Sequence, residues 1–569
     1  MGTADRTAEE HAPLVVSGWV DLLARRADLR SAALVLLCLV AFLPGFFSIP
    51  PVDRDEARFA QATSQMFETG DFINIRFQDD PRHKKLIGIY WLQAASVSVF
   101  GAETLDNIWA YRIPSLIGAT LAVLLTAWAG ARLFNPTVGL FAGVMMVGCV
   151  ILGVEARLAK TDAALLATIL AAQFALARIY LSRDDDVGWA APITFWLAAG
   201  VGVLIKGPVL PLVCGGTLLW LIVTERRIFW LKRLRFLVGV PLALAVVLPW
   251  LVAITVMTDG AFLQASFGHD MFGKISTGQE SHGAPPGLYL AMFWVTFWPF
   301  CVLAGLAIPW VWRHRATPVV RFCLGWIIPT WIVFELSVTK LPHYTLPTYP
   351  AIALLTAAAM YDRFGWTKRP SWLTLWPMLP WAIVALALPV AVAAIPYLLL
   401  SDVLIIVRIA VLAALPLAFL MAMAIRRLAF DRALACGLAA ALLAYVMAYG
   451  FTFPNLTGLW LSPRLAEAIE QQSPCPDPKV AASGTHEPSL VFLVGTDIEL
   501  TDAEGVARFL ADGPCRVGIV EQPDLELFSA ALEQRGAEAT ILAELNGTAL
   551  NGADRLHLFV YAGPDDGQR

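Results

Sequence analysis

Carboxylates and cations crowd two short polar stretches of a chain that is otherwise strongly apolar. Asp53, Arg54, Asp55, Glu56 and Arg58 open one amphipathic segment, and Arg82, His83, Lys84 and Lys85 immediately precede another. Cations of this kind hold and neutralise a departing phosphate, while a carboxylate beside them orients or deprotonates an attacking group. A transfer reaction on a phospholipid-like substrate needs both. Each residue also has a plainer role open to it. Asp55 and Glu56 suit a helix start, where acidic groups offset the dipole, and Arg82 to Lys85 suit contact with anionic headgroups. Asp162, after Thr161, suits a helix cap, and Lys206 a snorkelling side chain. Lys340 and Tyr344 suit an interfacial anchor, and His269 and His282 lie in a polar loop where solvation is ordinary. The chemical reading gains from position, because all of these residues fall on one side of the bilayer in the topology derived next from other residues.

Of 569 residues, 58% are apolar and only 15% charged, a composition outside the soluble range and typical of an integral membrane protein. A net charge of -4, with no basic stripe interleaved with aromatics, excludes nucleic acid as a partner. Spanning a bilayer takes about 20 apolar helical residues, fewer where polar ends snorkel. Thirteen segments qualify: 31–49, 111–133, 137–154, 161–181, 188–204, 207–224, 235–256, 288–312, 318–337, 345–361, 374–398, 403–425 and 431–453. The first reads as an uncleaved signal anchor behind a cytoplasmic N-terminus, 1–30.

Arg226, Arg227, Lys232, Arg233 and Arg235 share one loop, Arg313 and Arg315 another, Arg363, Lys368 and Arg369 a third, and Arg426, Arg427 and Arg432 a fourth. The thirteen spans put all four in the cytoplasm, as the positive-inside rule requires. The loops near 50–110, 155–160, 257–287 and 338–344, and the tail after 453, then face the other side. Within 50–110, Leu86 to Phe100 is short for a span and is interrupted by Gln93, and counting it as a crossing would invert every basic loop. It reads as a helix at the membrane surface. Glu56 to Thr69, with Phe59, Thr63, Met66 and Phe67 on one face, reads as a second.

The tail, 454–569, alternates short strand-like runs at Leu490–Val494, Arg516–Val520, Ala539–Leu542 and Leu556–Tyr561 with helical stretches at Asp502–Leu510 and Asp524–Gln534, the pattern of a small α/β domain. Six of the eight cysteines lie in apolar runs as packing residues. Cys475 and Cys515 lie in the tail, where a disulfide suits an oxidising space and a metal site would want more Cys or His nearby.

Asp55-Glu-Ala-Arg-Phe-Ala, Thr69-Gly-Asp-Phe, the basic cluster and Gly88-Ile-Tyr-Trp-Leu-Gln resemble the first outer loop of the family that transfers 4-amino-4-deoxy-L-arabinose onto lipid A, itself similar to the protein O-mannosyltransferases. Ala156-Arg-Leu-Ala-Lys-Thr-Asp162, Leu204-Ile-Lys206-Gly and Lys340-Leu-Pro-His-Tyr344-Thr-Leu-Pro continue the resemblance in the same order across nearly the whole membrane part. The resemblance implies a GT-C fold: a membrane all-α bundle of about thirteen transmembrane helices over 31–453, two juxtamembrane helices in the first periplasmic loop, and a small periplasmic C-terminal α/β domain. It implies Asp55 and Asp162 as the catalytic acidic positions and Arg58, Lys84, Lys85, Lys206 and Tyr344 as donor-phosphate contacts. Glu56, His83, His269 and Lys340 are further expected substrate contacts. One departure concerns zinc. Where that family has Glu-Lys-Pro before the second surface helix, with the glutamate associated with the metal, this chain has Lys84-Lys85-Leu86, so no metal ligand is assigned.

The resemblance further implies an inner-membrane enzyme that takes its sugar from a polyprenyl (undecaprenyl) phosphate carrier, because nucleotide sugars are not available outside that membrane. The expected acceptor is lipid A or lipopolysaccharide, reached by single displacement with inversion, with membrane lipid as surroundings. Transfer of another sugar, such as galacturonic acid, mannose or another hexose, to lipopolysaccharide core or protein stays open. So do two readings of another class, a transporter and a non-catalytic envelope scaffold.

Overall fold

A computed structural model describes residues 17–83, 85–182, 187–266, 284–366, 371, 375–398, 405–550 and 554–564. Each of the thirteen predicted spans carries helix. Five of the described helices are long and apolar enough to cross a membrane: Ile108–Leu133, Asp162–Leu181, Phe236–Met257, Pro318–Leu336 and Phe430–Asn455. Others are shorter apolar helices, among them Pro136–Val147, Ala190–Lys206 and Val209–Glu225. Two predicted spans are broken. The segment 137–154 divides at Gly148 into Pro136–Val147 and Val150–Glu155, and 288–312 divides into Leu288–Thr296 and Cys301–His314 around Pro299, which has no N–H to continue a helix. The chain is a multi-pass membrane protein.

Small residues set the closest helix approaches. A Cβ on Gly118 would lie 2.6 Å from the Ala164 nitrogen, so Ile108–Leu133 and Asp162–Leu181 pack backbone to backbone, as membrane helices lacking a hydrophobic drive between them do. A Cβ on Gly88 would lie 2.7 Å from the Leu204 carbonyl. The second surface helix, Gly88–Phe100, therefore starts directly against the helix that ends in Lys206. Its other face leaves Trp91, Leu92, Val99 and Phe100 exposed, the apolar stripe expected of a helix lying in the interface.

The first surface helix runs Asp55–Thr69 but is not half-exposed as its sequence suggests: Gln61 and Gln65 are buried along with Phe59, Thr63 and Met66. The membrane domain covers one side and the tail domain the other. Gln93, the residue that shortened the second segment, also turns inward, accepting from the Thr63 hydroxyl at 2.7 Å and donating to the Ala159 carbonyl at 3.0 Å. A polar residue thus stitches the two surface helices together.

The tail is a five-stranded mixed sheet in the order Glu499–Leu500, Lys479–Ala482, Arg516–Glu521, Arg555–Ala562, Thr540–Thr548, parallel over the first three strands and antiparallel thereafter. Val480 and Ala482 face one apolar layer with Leu465, Leu490 and Val517; Ala481 faces the opposite layer with Val506, Leu510 and Phe528. That alternation is the period of two of a strand covered on both sides. The expected strand Leu490–Val494 is instead a helix, Pro488–Val494, begun by Pro488 in its first turn. A short apolar run does not distinguish the two states by periodicity. Cys475 and Cys515 form a disulfide.

Candidate active site

The turn before the first surface helix is anchored through buried charge. Glu56 accepts from Arg112 Nε at 2.8 Å and Nη2 at 2.9 Å, from the Ala159 amide at 2.7 Å and from the Val52 amide at 2.9 Å. Arg112 donates in addition to the carbonyls of Phe46, Ile49 and Pro50. Both side chains are about 1% exposed. Glu56, expected as a substrate contact, is therefore turned inward and fully engaged, while Asp55 beside it is half-buried and faces the cations.

Around Asp55 the fold gathers positive charge from three separate segments. Burial pushes its carboxyl up, but Lys85, Lys160, Arg82 and Lys206 together outweigh that and hold it below the usual carboxylate range. Arg82 is held by the Tyr90 hydroxyl at 2.9 Å and lies 5.0 Å over the Phe59 ring, which Lys85 also covers at 5.6 Å. Lys206 pairs with Asp162 at 2.7 Å and sits 5.7 Å over the ring of Tyr344. Asp55, Asp162, Lys85, Lys206 and Tyr344 are thus one neighbourhood. Arg58, one turn after Asp55, adds its field at Asp53.

Three further residues complete the cluster, Glu155, Lys160 and His343, none of them among those expected at the site. Lys160 reaches Glu155 at 3.5 Å, and His343 bridges Glu155 at 3.4 Å and Asp162 at 3.7 Å. Burial lowers Lys160, but Glu155, Asp162 and Asp55 more than compensate and keep it charged. Burial pushes His343 down to about 3, so it is neutral, and pushes Glu155 up against the pull of Lys160. Lys160 and His343 stand inside the motifs containing Asp162 and Tyr344, so their place in those motifs was the available signal.

Other expected residues lie elsewhere. His83 stacks edge-on against Phe262 at 5.8 Å and accepts through its carbonyl from Ser266. Lys340 donates to the carbonyls of Glu335 and Ser337 and so caps the helix Pro318–Leu336. Neither joins the cluster. Lys84, His269 and His282 lie outside the described residues.

Glu155, Asp162 and His343 bring ligand atoms within 4.8 Å of one another, and the second oxygen of Glu155 has no hydrogen-bond partner among the described residues. The set nonetheless suits a divalent cation poorly. Lys206 and Lys160 already supply two positive charges to its two carboxylates, and a dication would sit against both ammonium groups.

Residues 84–252 match the model of the dolichyl-phosphate-mannose-protein mannosyltransferase family. An undecaprenyl phosphate-alpha-4-amino-4-deoxy-L-arabinose arabinosyl transferase of Pseudomonas fluorescens is 27% identical over 59% of this chain and 61% of its own length. A second transferase of that organism is 28% identical over 60% of this chain and 58% of its own length. The chain thus spans about three fifths of these relatives. Among solved structures, ArnT from Cupriavidus metallidurans bound to undecaprenyl phosphate superposes with a TM-score of 0.74 at 19% identity, covering 96% of this chain and 98% of that one. Its apo state gives 0.72 at 18%, covering 95% and 98%. The chain is thus similar in sequence to these transferases and shares the fold of ArnT, a polytopic helical membrane bundle with a small C-terminal α/β domain.

Proposed function

We propose that the protein is an inverting glycosyltransferase of the bacterial inner membrane that moves a sugar from polyprenyl phosphate to a periplasm-facing acceptor. Residues 31–453 form the catalytic membrane domain, and 454–569 an outer domain on the periplasmic side. The observation that carries the reading is the Asp55 carboxylate held charged by Lys85, Lys160, Arg82 and Lys206. The disulfide between Cys475 and Cys515 supports the orientation, because such bonds persist in an oxidising compartment. The relatives named for undecaprenyl phosphate-alpha-4-amino-4-deoxy-L-arabinose make that sugar the first choice, and the motif resemblance makes lipid A the first acceptor.

In this mechanism Lys85, Lys206 and Arg58 receive the donor phosphate, with Tyr344 beside Lys206. As the bond from the anomeric carbon to the phosphate oxygen breaks, charge builds on that oxygen, and fixed cations stabilise it more than the ground state. The acceptor oxygen attacks the opposite face of the sugar and configuration inverts. If the acceptor is a hydroxyl, its proton passes to Asp55; if it is an anionic phosphate, Asp55 orients it. Asp162 holds Lys206 in place through their 2.7 Å pair.

Mass spectrometry of lipid A, core and envelope glycoproteins from cells with and without the gene tests the reading. Loss of one sugar increment is expected in the cells lacking it. Identical spectra would overturn the proposal. A pH profile tests the site itself. The Asp55 carboxyl is depressed, so its basic form persists through neutral pH and is lost only as pH falls through the lowered pKa. Lys85→Ala removes the foremost lowering charge, so the acid limb of the rate profile should move to higher pH, and an unshifted limb would separate Lys85 from Asp55.

A further inference from the structure

The tail domain has no role in the mechanism above, yet it grips the first surface helix along its whole length. Just ahead of the helix, the Asp53 carboxylate accepts from the Ser489 amide at 2.9 Å. In its second and last turns, one hydroxyl serves two residues: Thr496 Oγ1 accepts from Gln61 Nε2 at 2.6 Å and donates to the Glu68 carboxylate at 2.8 Å. Gln61 and Glu68 are seven residues apart and so share one face. Between these points Phe492 packs edge-on against Tyr111 at 5.6 Å, in a buried cluster with Ala60 and Val97.

The same loop holds the segment that leads to the basic cluster. Gln78, in the turn of the hairpin Arg76–Phe77 and Asp80–Pro81, donates to the carbonyls of Thr496 at 3.1 Å and Ile498 at 2.7 Å. Its own carbonyl accepts from Gln65 at 2.7 Å. Arg82 and Lys85 follow within a few residues. One loop of the tail therefore touches both the helix that presents Asp55 and the hairpin that delivers the cations facing it.

We infer that the tail domain is a brace, with Thr496, Ser489 and Phe492 as positioning residues that set Asp55 against Lys85. This rests on the transferase reading only for its catalytic consequence. Removing the Thr496 hydroxyl leaves Gln61 and Glu68 without their shared partner and frees the helix to shift, and displacements of about an ångström at a reacting group are enough to cost catalysis heavily. Donor binding suffers as well, because Arg58 sits on the braced helix and Lys85 follows the braced hairpin, whereas Lys206 ends the membrane helix Ala190–Lys206.

The test uses the full chain with Thr496→Val and Thr496→Ser. For the valine variant, amides of Asp55–Thr69 should exchange with deuterium about tenfold faster than in the parent protein. Its kcat should fall about tenfold and its donor KM should rise, and the serine variant, which keeps the hydroxyl, should match the parent in all three. Unchanged exchange in Thr496→Val overturns the brace, as does a serine variant impaired as much as the valine one. Faster exchange in a protein that transfers no sugar supports the brace and overturns the enzyme reading.

Discussion

Asp55→Asn is expected to lower turnover about a thousandfold, the middle of the range for a lost general base or charge-positioning group, while the protein stays folded and inserted. Asn has the same shape but neither accepts the acceptor's proton nor carries charge. The substitution also removes the anion that Lys85, Lys160, Arg82 and Lys206 surround, leaving a more positive pocket. Donor phosphate should then bind as tightly or more tightly. A fall in kcat with an unchanged or lower donor KM, measured on purified enzyme with a polyprenyl-phosphate sugar, distinguishes this from unfolding, which lowers the active fraction without altering KM. Arg58→Ala should likewise abolish transfer in a folded, inserted protein. Near-parental turnover in Asp55→Asn would remove Asp55 from the chemistry.

Arg112→Leu should be the most damaging substitution for stability. It strands the Glu56 carboxylate, about 1% exposed, with two backbone amides but no countercharge. It also leaves the Phe46, Ile49 and Pro50 carbonyls without their donor. Breaking a buried ion pair from one side costs about 3–5 kcal/mol, a large share of the stability of an ordinary domain. The double variant Glu56→Leu/Arg112→Leu should recover part of this loss, since the charge is gone, but not all, since the carbonyls remain unpaired. Thermal unfolding in detergent measures the order: parent, then double variant, then Arg112→Leu. An Arg112→Leu protein as stable as the parent would mean that water reaches the Glu56 site.

Neighbouring residues of one motif separate sharply in role. Asp55 and Glu56 are indistinguishable as an acidic pair at a helix start, yet successive side chains point about 100° apart around a helix. One therefore meets the cations and the other meets Arg112. His343 and Tyr344 part in the same way: the imidazole lies between Glu155 and Asp162, and the phenol ring under Lys206. Lys340 and His83, equally plausible as ligands by type, are spent on a helix C-terminus and on packing against Phe262.

The amino-acid sequence by itself determined the membrane class and the positions of the helices. Apolar run length and loop charge are local quantities, legible along the chain. It also held the tail's α/β character, though not the state of Leu490–Val494, because a short apolar run buried on all sides has no period. Only the tertiary structure decided which charges are neutralised and which stay available. Glu56 finds Arg112 56 residues away, and Thr496 finds Gln61 435 residues away. A buried charge takes its role from whatever lies within a few ångströms, and no spacing rule along one segment reports what a distant segment brings there.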